Sequence, residues 1–280
     1  MYNEGAGPFT DGTAWDRFNE REKKHMFKFV TFNLRCDYQQ DGENCFVYRQ
    51  PLILKAIGEE KPDLICFQEV LPHMAVWLKE NLRDYYVIGC GRGEKLDGEQ
   101  MTVAFRYDRY SLMEMRTLWL SETPAKPGSR YPDQSSCPRT CTDALLMETE
   151  TGKVLRVLNT HLDHVGAEAR RRGLKQILEH LEKAELFPQA PVILAGDFNA
   201  PPESPEMDVI FSRPDFRDVT EGIGVTYHGY MRAEDPKLID YIFIRGPLTC
   251  LKVTKWEQTE RGVYLSDHFP VCAELQWAEK

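Results

Sequence analysis

The chain has 280 residues, 42% of them hydrophobic, and a net charge of −9 at pH 7. A chain of this length can bury a sizeable core as one large domain or two small ones. The acidic balance argues against a protein whose main task is to coat duplex DNA or an anionic membrane, because such binding depends on an excess of Lys and Arg. It does not exclude a local basic groove.

The eight cysteines are scattered, and several lie in apolar stretches, as Cys66 does in Leu64–Phe67. This distribution favours buried free thiols in a reducing compartment. Cys137 and Cys141 lie four residues apart, but no second pair completes a zinc site. Residues 1–25 lack the apolar core of a signal peptide, and no stretch reaches transmembrane length. We therefore predict a polar leader segment on a soluble, cytoplasmic protein.

The first half of the chain predicts strands and helices in alternation, followed by a strand-rich middle. Strands are predicted over Phe27–Leu34 and Asp63–Phe67, with helices over Tyr48–Glu60 and from Pro72 onward. Between residues 84 and 147, short alternating stretches predict antiparallel strands separated by turns. Residues 121–136 are rich in Pro, Gly and Ser and predict a long surface loop.

The second half repeats the strand–helix–strand order. Buried strands are predicted at Lys153–Asn159 and from Val192, around an amphipathic helix over Gly166–Leu186. Further strands are predicted over the ranges 238–244, 251–256 and 269–277. No linker divides the halves, so we predict a single catalytic domain over residues 26–280. The pattern suits an α/β fold in which two sheets pack face to face with helices outside.

Polar residues lie at or beside the ends of these predicted strands: Asn33, Glu69, His161, Asp197, Asn199, Asp240, Asp267 and His268. Any one of them alone is unremarkable, and a lone His161 would be read as a structural histidine. Gathered at one rim of a sheet, however, the acids and amides would form an oxygen-rich pocket for a hard cation such as Mg²⁺. The two histidines beside carboxylates could titrate near neutral pH.

Six motifs in order carry a family resemblance: Thr31–Asn33, Phe67–Glu69, Asn159–Leu162, Gly196–Asn199, Ile239–Phe243 and Ser266–Pro270. Together they resemble the endonuclease/exonuclease/phosphatase superfamily, the deoxyribonuclease-like metal phosphoesterases. The resemblance covers nearly the whole chain. It implies a four-layer α/β/β/α sandwich of two mixed, mainly antiparallel sheets, with helices outside and the site at one end.

The resemblance also implies a metal centre. Glu69 takes the place of the principal Mg²⁺ ligand, with Asn33 and Asp267 close to it. Mn²⁺ is the expected substitute. Asp197 and Asn199 resemble the pair that orients the attacking water and the phosphate.

The two histidines match phosphate-facing histidines of the family. His268 corresponds to a residue that contacts the scissile phosphate and can act as general base, oriented by Asp240. His161 corresponds to a donor to the phosphate or the leaving oxygen. Neighbouring carboxylates are expected to raise the pKa of both imidazoles.

Two positions depart from the abasic-site endonuclease branch. Arg35 stands where that branch usually has an acid, and His161 where it tends to have a tyrosine. The fuller pattern, which includes Pro138–Cys141 and His161–His164, most resembles small bacterial members without an assigned substrate. These are placed near the deadenylase-like 3′–5′ exonucleases.

Four further residues are candidates for substrate binding. Arg139 is either a phosphate clamp or half of a loop ion pair. Asp163 and His164 either line the pocket or extend the metal shell, and helix capping is the competing role for Asp163. His228 either faces the substrate or belongs to a turn.

We therefore expect a Mg²⁺-dependent phosphoesterase that cleaves a phosphodiester or phosphomonoester by direct water attack. The leading substrate class is single-stranded RNA or a nucleotide, as for a 3′–5′ exonuclease, and a small phosphorylated metabolite is the alternative. A non-catalytic binding protein that keeps the fold is a rival of a different class, although the intact polar set argues against it. No membrane and no obligate protein partner are expected.

Overall fold

The computed structural model describes residues 26–278, so the predicted leader, residues 1–25, lies outside the described residues. The helices are α1 (Phe46–Glu60), α2 (Pro72–Asn81), α3 (Ala167–Glu182) and α4 (Asp208–Phe211), with 3₁₀ turns at Gln39–Asn44 and Pro205–Met207. The strands are β1 (Met26–Asn33), β2 (Leu64–Val70), β3 (Tyr85–Ile88), β4 (Gln100–Arg106), β5 (Tyr110–Trp119), β6 (Thr140–Glu148), β7 (Val154–His161), β8 (Val192–Asp197), β9 (Phe216–Asp218), β10 (Asp240–Arg245), β11 (Leu248–Lys255), β12 (Thr259–Glu260), β13 (Val263–Tyr264) and β14 (Val271–Trp277).

The strands form two six-stranded sheets and a small β12–β13 hairpin. The first sheet has the order β11-β14-β1-β2-β4-β3, and the second has the order β5-β6-β7-β8-β10-β9. One parallel pair lies near the middle of each sheet, β1 with β2 and β7 with β8, and the other pairings are antiparallel. The predicted mixed, mainly antiparallel sheets are confirmed.

Three apolar layers hold the sheets and helices together. Side chains such as Phe29 of the first sheet and Ile193 of the second fill the space between the sheets. The helices α1 and α2 cover the outer face of the first sheet, with Ile53 and Leu78 fully buried. Leu174 and other residues of α3 cover the outer face of the second sheet. Each such aliphatic side chain contributes about 1.5–3 kcal/mol by leaving water, and the result is the expected four-layer sandwich.

The helix ends differ from the predicted ones. α1 begins at Phe46, so Pro51 lies inside the helix rather than at its start. Phe46 packs edge-on against Trp77 of α2 with ring centroids 5.0 Å apart, and this contact favours the earlier start. α3 ends at Glu182, four residues before the predicted end. Residues 121–136 contain no helix or strand, as expected of a long loop.

All eight cysteines are free thiols, and Cys36, Cys66, Cys141 and Cys272 are buried. Cys141 lies in β6, and burial raises the pKa of its thiol well above the usual value. Within residues 26–278, no helix has both the length and the apolar character required to cross a bilayer.

A polar clamp joins the two sheets beneath their shared rim. The Asn159 amide of β7 donates to the backbone oxygens of Phe67 (2.8 Å) and Thr102 (2.9 Å) in the first sheet. Its oxygen accepts from Nε2 of Gln68 at 2.7 Å. Asn159 is fully buried. If its side chain were removed, each of these groups would lose its partner and could not bond to water instead. The clamp therefore fixes one sheet relative to the other.

Replacing Asn159 with Ala should lower the free energy of unfolding by about 3 kcal/mol, because buried polar groups are left unpaired. Urea titration followed by circular dichroism measures this change. Asn81→Ala is the matched control, since Asn81 is exposed and, among the described residues, its side chain bonds only to the Trp77 oxygen of its own helix. Equal effects of the two substitutions would show that the clamp does not stabilise the sandwich.

Candidate active site

The strand ends of both sheets meet at one rim. β1 ends at Asn33 and β7 ends at His161, while β8 ends at Asp197. Asp197 is paired in register with His161 on one side and with Asp240, the first residue of β10, on the other. The structure therefore brings together the strand-end residues that the sequence singled out.

Asn33 links the acids of the two sheets. Its Nδ2 donates to Glu69 Oε1 at 3.1 Å and to Asp197 Oδ2 at 2.9 Å. The other Glu69 oxygen accepts from the backbone N–H of Cys36 at 2.8 Å. Burial works against the charged form of Glu69, but the Cys36 N–H and the positive charge of His268 bring its pKa below the usual value. Glu69 is thus held as a carboxylate.

The end of β8 depends on a glycine within the strand, and the turn after it depends on a left-handed residue. At Gly196 φ is +140°, and a Cβ there would lie 1.8 Å from the backbone oxygen of Thr160. Asn199 has φ of 50°; its N–H donates to Asp197 Oδ1 at 2.8 Å, and its amide donates to the Leu162 oxygen at 3.0 Å. β8 ends at Asp197, so this turn, and not the strand, places Asn199 beside it.

His268 is paired with Asp240 through Nδ1, at 2.8 Å from Oδ2. Burial disfavours its charged form, yet Asp240 and neighbouring carboxylates raise the pKa of His268 to about 10. Burial, together with Asp240, raises the pKa of Asp197 to about 7. His268 Nε2 lies 3.8 Å from Asp197 Oδ2. The site therefore holds an imidazolium beside a carboxyl group that titrates near neutral pH.

His161 differs from the expectation that its neighbouring carboxylate raises its pKa. Although Nε2 lies 3.5 Å from Asp197 Oδ2, burial and then the charge of Arg139 hold the pKa of His161 well below its usual value. Its Nδ1 is buried and has no hydrogen-bond partner among the described residues. The expectation for His161 was wrong because loss of hydration and nearby cations outweigh one carboxylate.

Two arginines shape the loops around Asp267. Arg35 NH1 lies 3.5 Å from Asp267 Oδ2, and Arg35 also pairs with Asp41 at 3.0 Å. Arg49 is fully buried and donates through NH1 to the backbone oxygens of Leu34 (2.6 Å) and Leu265 (3.0 Å). Arg49 thereby ties the segment after β1 to the segment that carries Asp267, a role closer to packing than to catalysis.

A cavity of about 440 Å³ opens above these residues. Its lining comprises Arg35, Tyr38, Glu69, Arg92, Glu99, Cys137, Arg139, His161, His164, Asp197, Asn199, Tyr227, Lys237, Ile239, Asp267 and His268. Among the candidates for substrate binding, Arg139 and His164 line it and Asp163 and His228 do not.

Asp163 and His228 have other partners. Asp163 accepts from the backbone N–H groups of Val165 (3.0 Å) and Gly166 (2.8 Å) just before α3, and it pairs with Arg139. The His228 ring stacks on Phe269 with ring centroids 4.0 Å apart. The backbone N–H of His228 donates to the backbone oxygen of Asp267 at 2.9 Å. The turn reading of His228 agrees with this geometry. The cap reading of Asp163 does not, because its carboxylate holds the turn before α3, and the Ala169 N–H in the first turn of that helix donates to Asp133 Oδ2 at 2.8 Å.

Sequence reasoning missed several lining residues. Arg92 and Glu99 come from the loop between β3 and β4, and neither lies in a motif of the resemblance. The four glycines of that loop, at positions 89, 91, 93 and 98, were a signal of a specific backbone conformation. Tyr38, Tyr227 and Lys237 carried no comparable signal.

The family model described as the Endonuclease/Exonuclease/phosphatase family matches residues 30–268. The chain belongs to this family. Its members are metal-dependent hydrolases of phosphate esters. The predicted family is thus confirmed, and the residues described above lie at one end of the sandwich.

Solved structures of family members are similar to the chain over nearly their full length. An endonuclease/exonuclease/phosphatase from Bacteroides vulgatus is 31% identical with a TM-score of 0.84, covering 90% of this chain and 99% of that one. A mannosyl-6-phosphatase of Bacteroides thetaiotaomicron is 26% identical with a TM-score of 0.81, covering 90% of this chain and 100% of that one.

A sequence relative matches a shorter part of the chain. The uncharacterized protein L388 of Acanthamoeba polyphaga mimivirus is 28% identical over 159 residues, or 54% of this chain, and the match spans 58% of that curated relative.

The donor set suits a divalent cation. Oxygen or nitrogen atoms of Glu69, His161 and Asp197 lie within 4.8 Å of one another, as do those of Asp197, Asp240 and His268. Buried acids this close repel each other, and the pKa of Asp197 is raised first by burial and then by the charge of Asp240. A cation would relieve the repulsion, and carboxylate oxygens favour hard ions such as Mg²⁺ or Mn²⁺.

Mg²⁺ should therefore bind and raise the melting temperature, with a stabilisation of about 2.7 kcal/mol at one hundred times its dissociation constant. Calorimetry and thermal unfolding with and without Mg²⁺ measure this. Glu69→Gln should weaken binding at least about tenfold, because it removes a ligand charge. Glu80→Gln, on the exposed face of α2, is the matched control and should bind as the native protein does. Undiminished Mg²⁺ binding by Glu69→Gln would contradict the assigned ligand.

Proposed function

We propose that this protein is a Mg²⁺-dependent phosphatase that hydrolyses a phosphomonoester of a small polar molecule by direct water attack. The observation that carries the proposal is the cavity of about 440 Å³ with the family's polar residues at its base. That volume suits a small molecule. The similarity to a mannosyl-6-phosphatase over 90% of the chain supports a monoester. Mn²⁺ is the expected substitute for Mg²⁺.

Each polar residue has a role in this reaction. Asp197, whose pKa is about 7, accepts the proton of the attacking water. The His268 imidazolium, held by Asp240, offsets charge on the phosphoryl oxygens, and neutral His161 donates one hydrogen bond to the leaving oxygen. When bound, Mg²⁺ supplies Lewis-acid polarisation of the phosphate beside Glu69. Water attacks phosphorus as its proton passes to Asp197, the bond from phosphorus to the ester oxygen breaks, and the leaving oxygen takes a proton from solvent to depart as the alcohol. Asp197 then returns its proton to solvent.

A 3′–5′ exonuclease acting on single-stranded RNA or a nucleotide is the second candidate. One observation favours it: Tyr38 lines the cavity, is 39% exposed, and carries the Arg35 guanidinium 4.8 Å from its ring centre. An exposed aromatic ring with a nearby cation can stack on a base. The net charge of −9 and the carboxylates of the lining favour the small monoester.

A cytoplasmic location is part of the proposal. Eight free thiols, four of them buried, suit a reducing compartment. Thiol labelling of the unfolded protein, taken directly from cells, should modify all eight.

A single screen separates the two candidate functions. Oligoribonucleotides, oligodeoxynucleotides, nucleoside monophosphates and sugar phosphates are assayed for turnover under identical Mg²⁺ conditions. The proposed phosphatase should release inorganic phosphate fastest from sugar phosphates and leave oligonucleotides intact. Stepwise shortening of oligoribonucleotides from the 3′ end, without phosphate release from monoesters, would reject it in favour of the exonuclease.

Asp240→Asn should shift the alkaline limb of the pH–rate profile. Activity requires the His268 imidazolium, so kcat/KM falls as pH rises through the pKa of His268, which is about 10 in the native protein. Without the Asp240 charge that pKa drops, and the limb should move down by about two units. The profile is measured with one monoester from pH 6 to 10.5, with exposed Asp235→Asn as control. An alkaline limb that stays near pH 10 in Asp240→Asn would contradict this role.

A further inference from the structure

We propose that Arg92, Glu99 and Arg139 form a subsite that recognises neighbouring hydroxyl groups on the leaving group, so that the substrate is a sugar or polyol phosphate. This inference rests on the proposed phosphatase function and names its substrate class. It concerns the part of the cavity lining that comes from the β3–β4 loop and from the residue just before β6.

The β3–β4 loop holds the backbone of Arg92 in place. A Cβ on Gly91 would lie 2.3 Å from the Leu96 oxygen, so the chain packs closely here. The backbone N–H of Arg92 donates to the backbone oxygen of Glu99 at 3.0 Å. The backbone oxygen of Arg92 accepts from Trp119 Nε1 at 2.7 Å. Arg92 is therefore fixed from both sides of the peptide before its side chain enters the cavity lining.

The Arg92 guanidinium is only partly satisfied by the protein. Its NH2 group forms a short hydrogen bond with Glu99, which also lines the cavity. Its NH1 group is buried and has no hydrogen-bond partner among residues 26–278. Arg92 is 6% exposed, so an unpaired N–H of this kind is costly unless a ligand accepts from it.

Arg139 repeats this arrangement. Its Nε lies 3.3 Å from Asp163 Oδ2, and its NH2 bonds to His164 Nδ1 at 2.7 Å. Its NH1 is also buried and lacks a partner within the described part of the chain. Arg139 is 3% exposed and Asp163 is fixed by Ser135 and the turn before α3, so the side chain is rigid. Arg92 and Arg139 thus line the same cavity, and each has one unpaired N–H group.

The charge balance selects hydroxyls over a second anion. Each arginine already has a carboxylate partner, Arg92 with Glu99 and Arg139 with Asp163. A further anion would also lie near Glu99 and Glu69 of the lining. The unpaired N–H groups of Arg92 and Arg139 therefore call for neutral oxygen acceptors. A hydroxyl accepts from a guanidinium N–H and donates to a carboxylate at once, and adjacent hydroxyls can use both arginines and Glu99 together.

The subsite lies where a leaving group would be. The charges of Arg139 and Arg92 both act on His161, which in the proposed reaction contacts the leaving oxygen. A phosphate held above Glu69 and Asp197 therefore places its ester substituent toward these arginines.

The experiment compares a hexose 6-phosphate with cyclohexylmethyl phosphate, which has a similar ring and no hydroxyls, in the Mg²⁺-loaded full chain. The native protein should prefer the hexose phosphate in kcat/KM by at least about 100-fold, as expected for several charge-assisted hydrogen bonds. Arg92→Met should reduce that preference at least about tenfold. Arg116→Met, an exposed arginine on edge strand β5, is the matched control and should keep it.

Binding of the free hexose, measured by calorimetry, gives a second readout that needs no turnover. The sugar should bind the native protein, and the dissociation constant should rise at least about tenfold in Arg92→Met and in Glu99→Gln. Glu99→Gln preserves the shape of the pair and decides the matter where Arg92→Met does not fold, as judged by thermal unfolding.

The outcomes separate the subsite from the reaction. If the native protein hydrolyses both monoesters equally well, or prefers a sugar bisphosphate more than tenfold over the monophosphate, the hydroxyl subsite is overturned while the phosphatase function stands. An equal loss on both substrates in Arg92→Met also overturns it, because the residue then acts on the phosphate. If neither monoester is hydrolysed and a diester is, the proposed function itself fails.

Discussion

The site depends on the fixed position of one sheet relative to the other. Asn159 reaches from the second sheet to the backbone of Phe67, two residues before Glu69, and Asn33 reaches from the first sheet to Asp197. These are side chain bonds with defined directions, whereas the apolar layer between the sheets has none. Hydrophobic burial brings the sheets together. The amides of Asn159 and Asn33 fix the relative position of the sheets at which Glu69 of the first lies near Asp197 of the second.

Charge is the second constraint on the site. Four acids, Glu69, Asp197, Asp240 and Asp267, are concentrated at the rim. The structure compensates them unequally: the pKa of Glu69 is lowered with the help of a backbone N–H donor, and Asp240 has the His268 imidazolium. Asp197 keeps a raised pKa although Asn33 and the Asn199 N–H donate to it. Unequal compensation gives chemically similar side chains different protonation behaviour. One acid is then suited to hold a cation and another to take a proton, although both are carboxylates at the same rim, one from each sheet.

The sequence predicted the fold and the strand-end residues well, because buried strands leave continuous apolar stretches that end at conspicuous polar residues. It could not predict what depends on long-range neighbours. The pKa of His161 follows burial and Arg139, and Asn199 is placed by a left-handed turn rather than by strand alternation. Arg92 and Glu99 were missed because a charged residue in a glycine-rich loop has the same composition whether it faces solvent or a cavity.

The pairing of the first and last strands has a consequence for how the protein folds. β1 and β14 are neighbours within the first sheet, with Met26 opposite Gln276. The sheet is therefore incomplete until the end of the domain is available, and its closing contacts have very large sequence separation. Folds of high contact order form slowly. During synthesis Asn33 and Glu69, the candidate metal ligands of the first half, emerge long before Asp267 and His268, so the protein passes through a stage with exposed acids and no competent site.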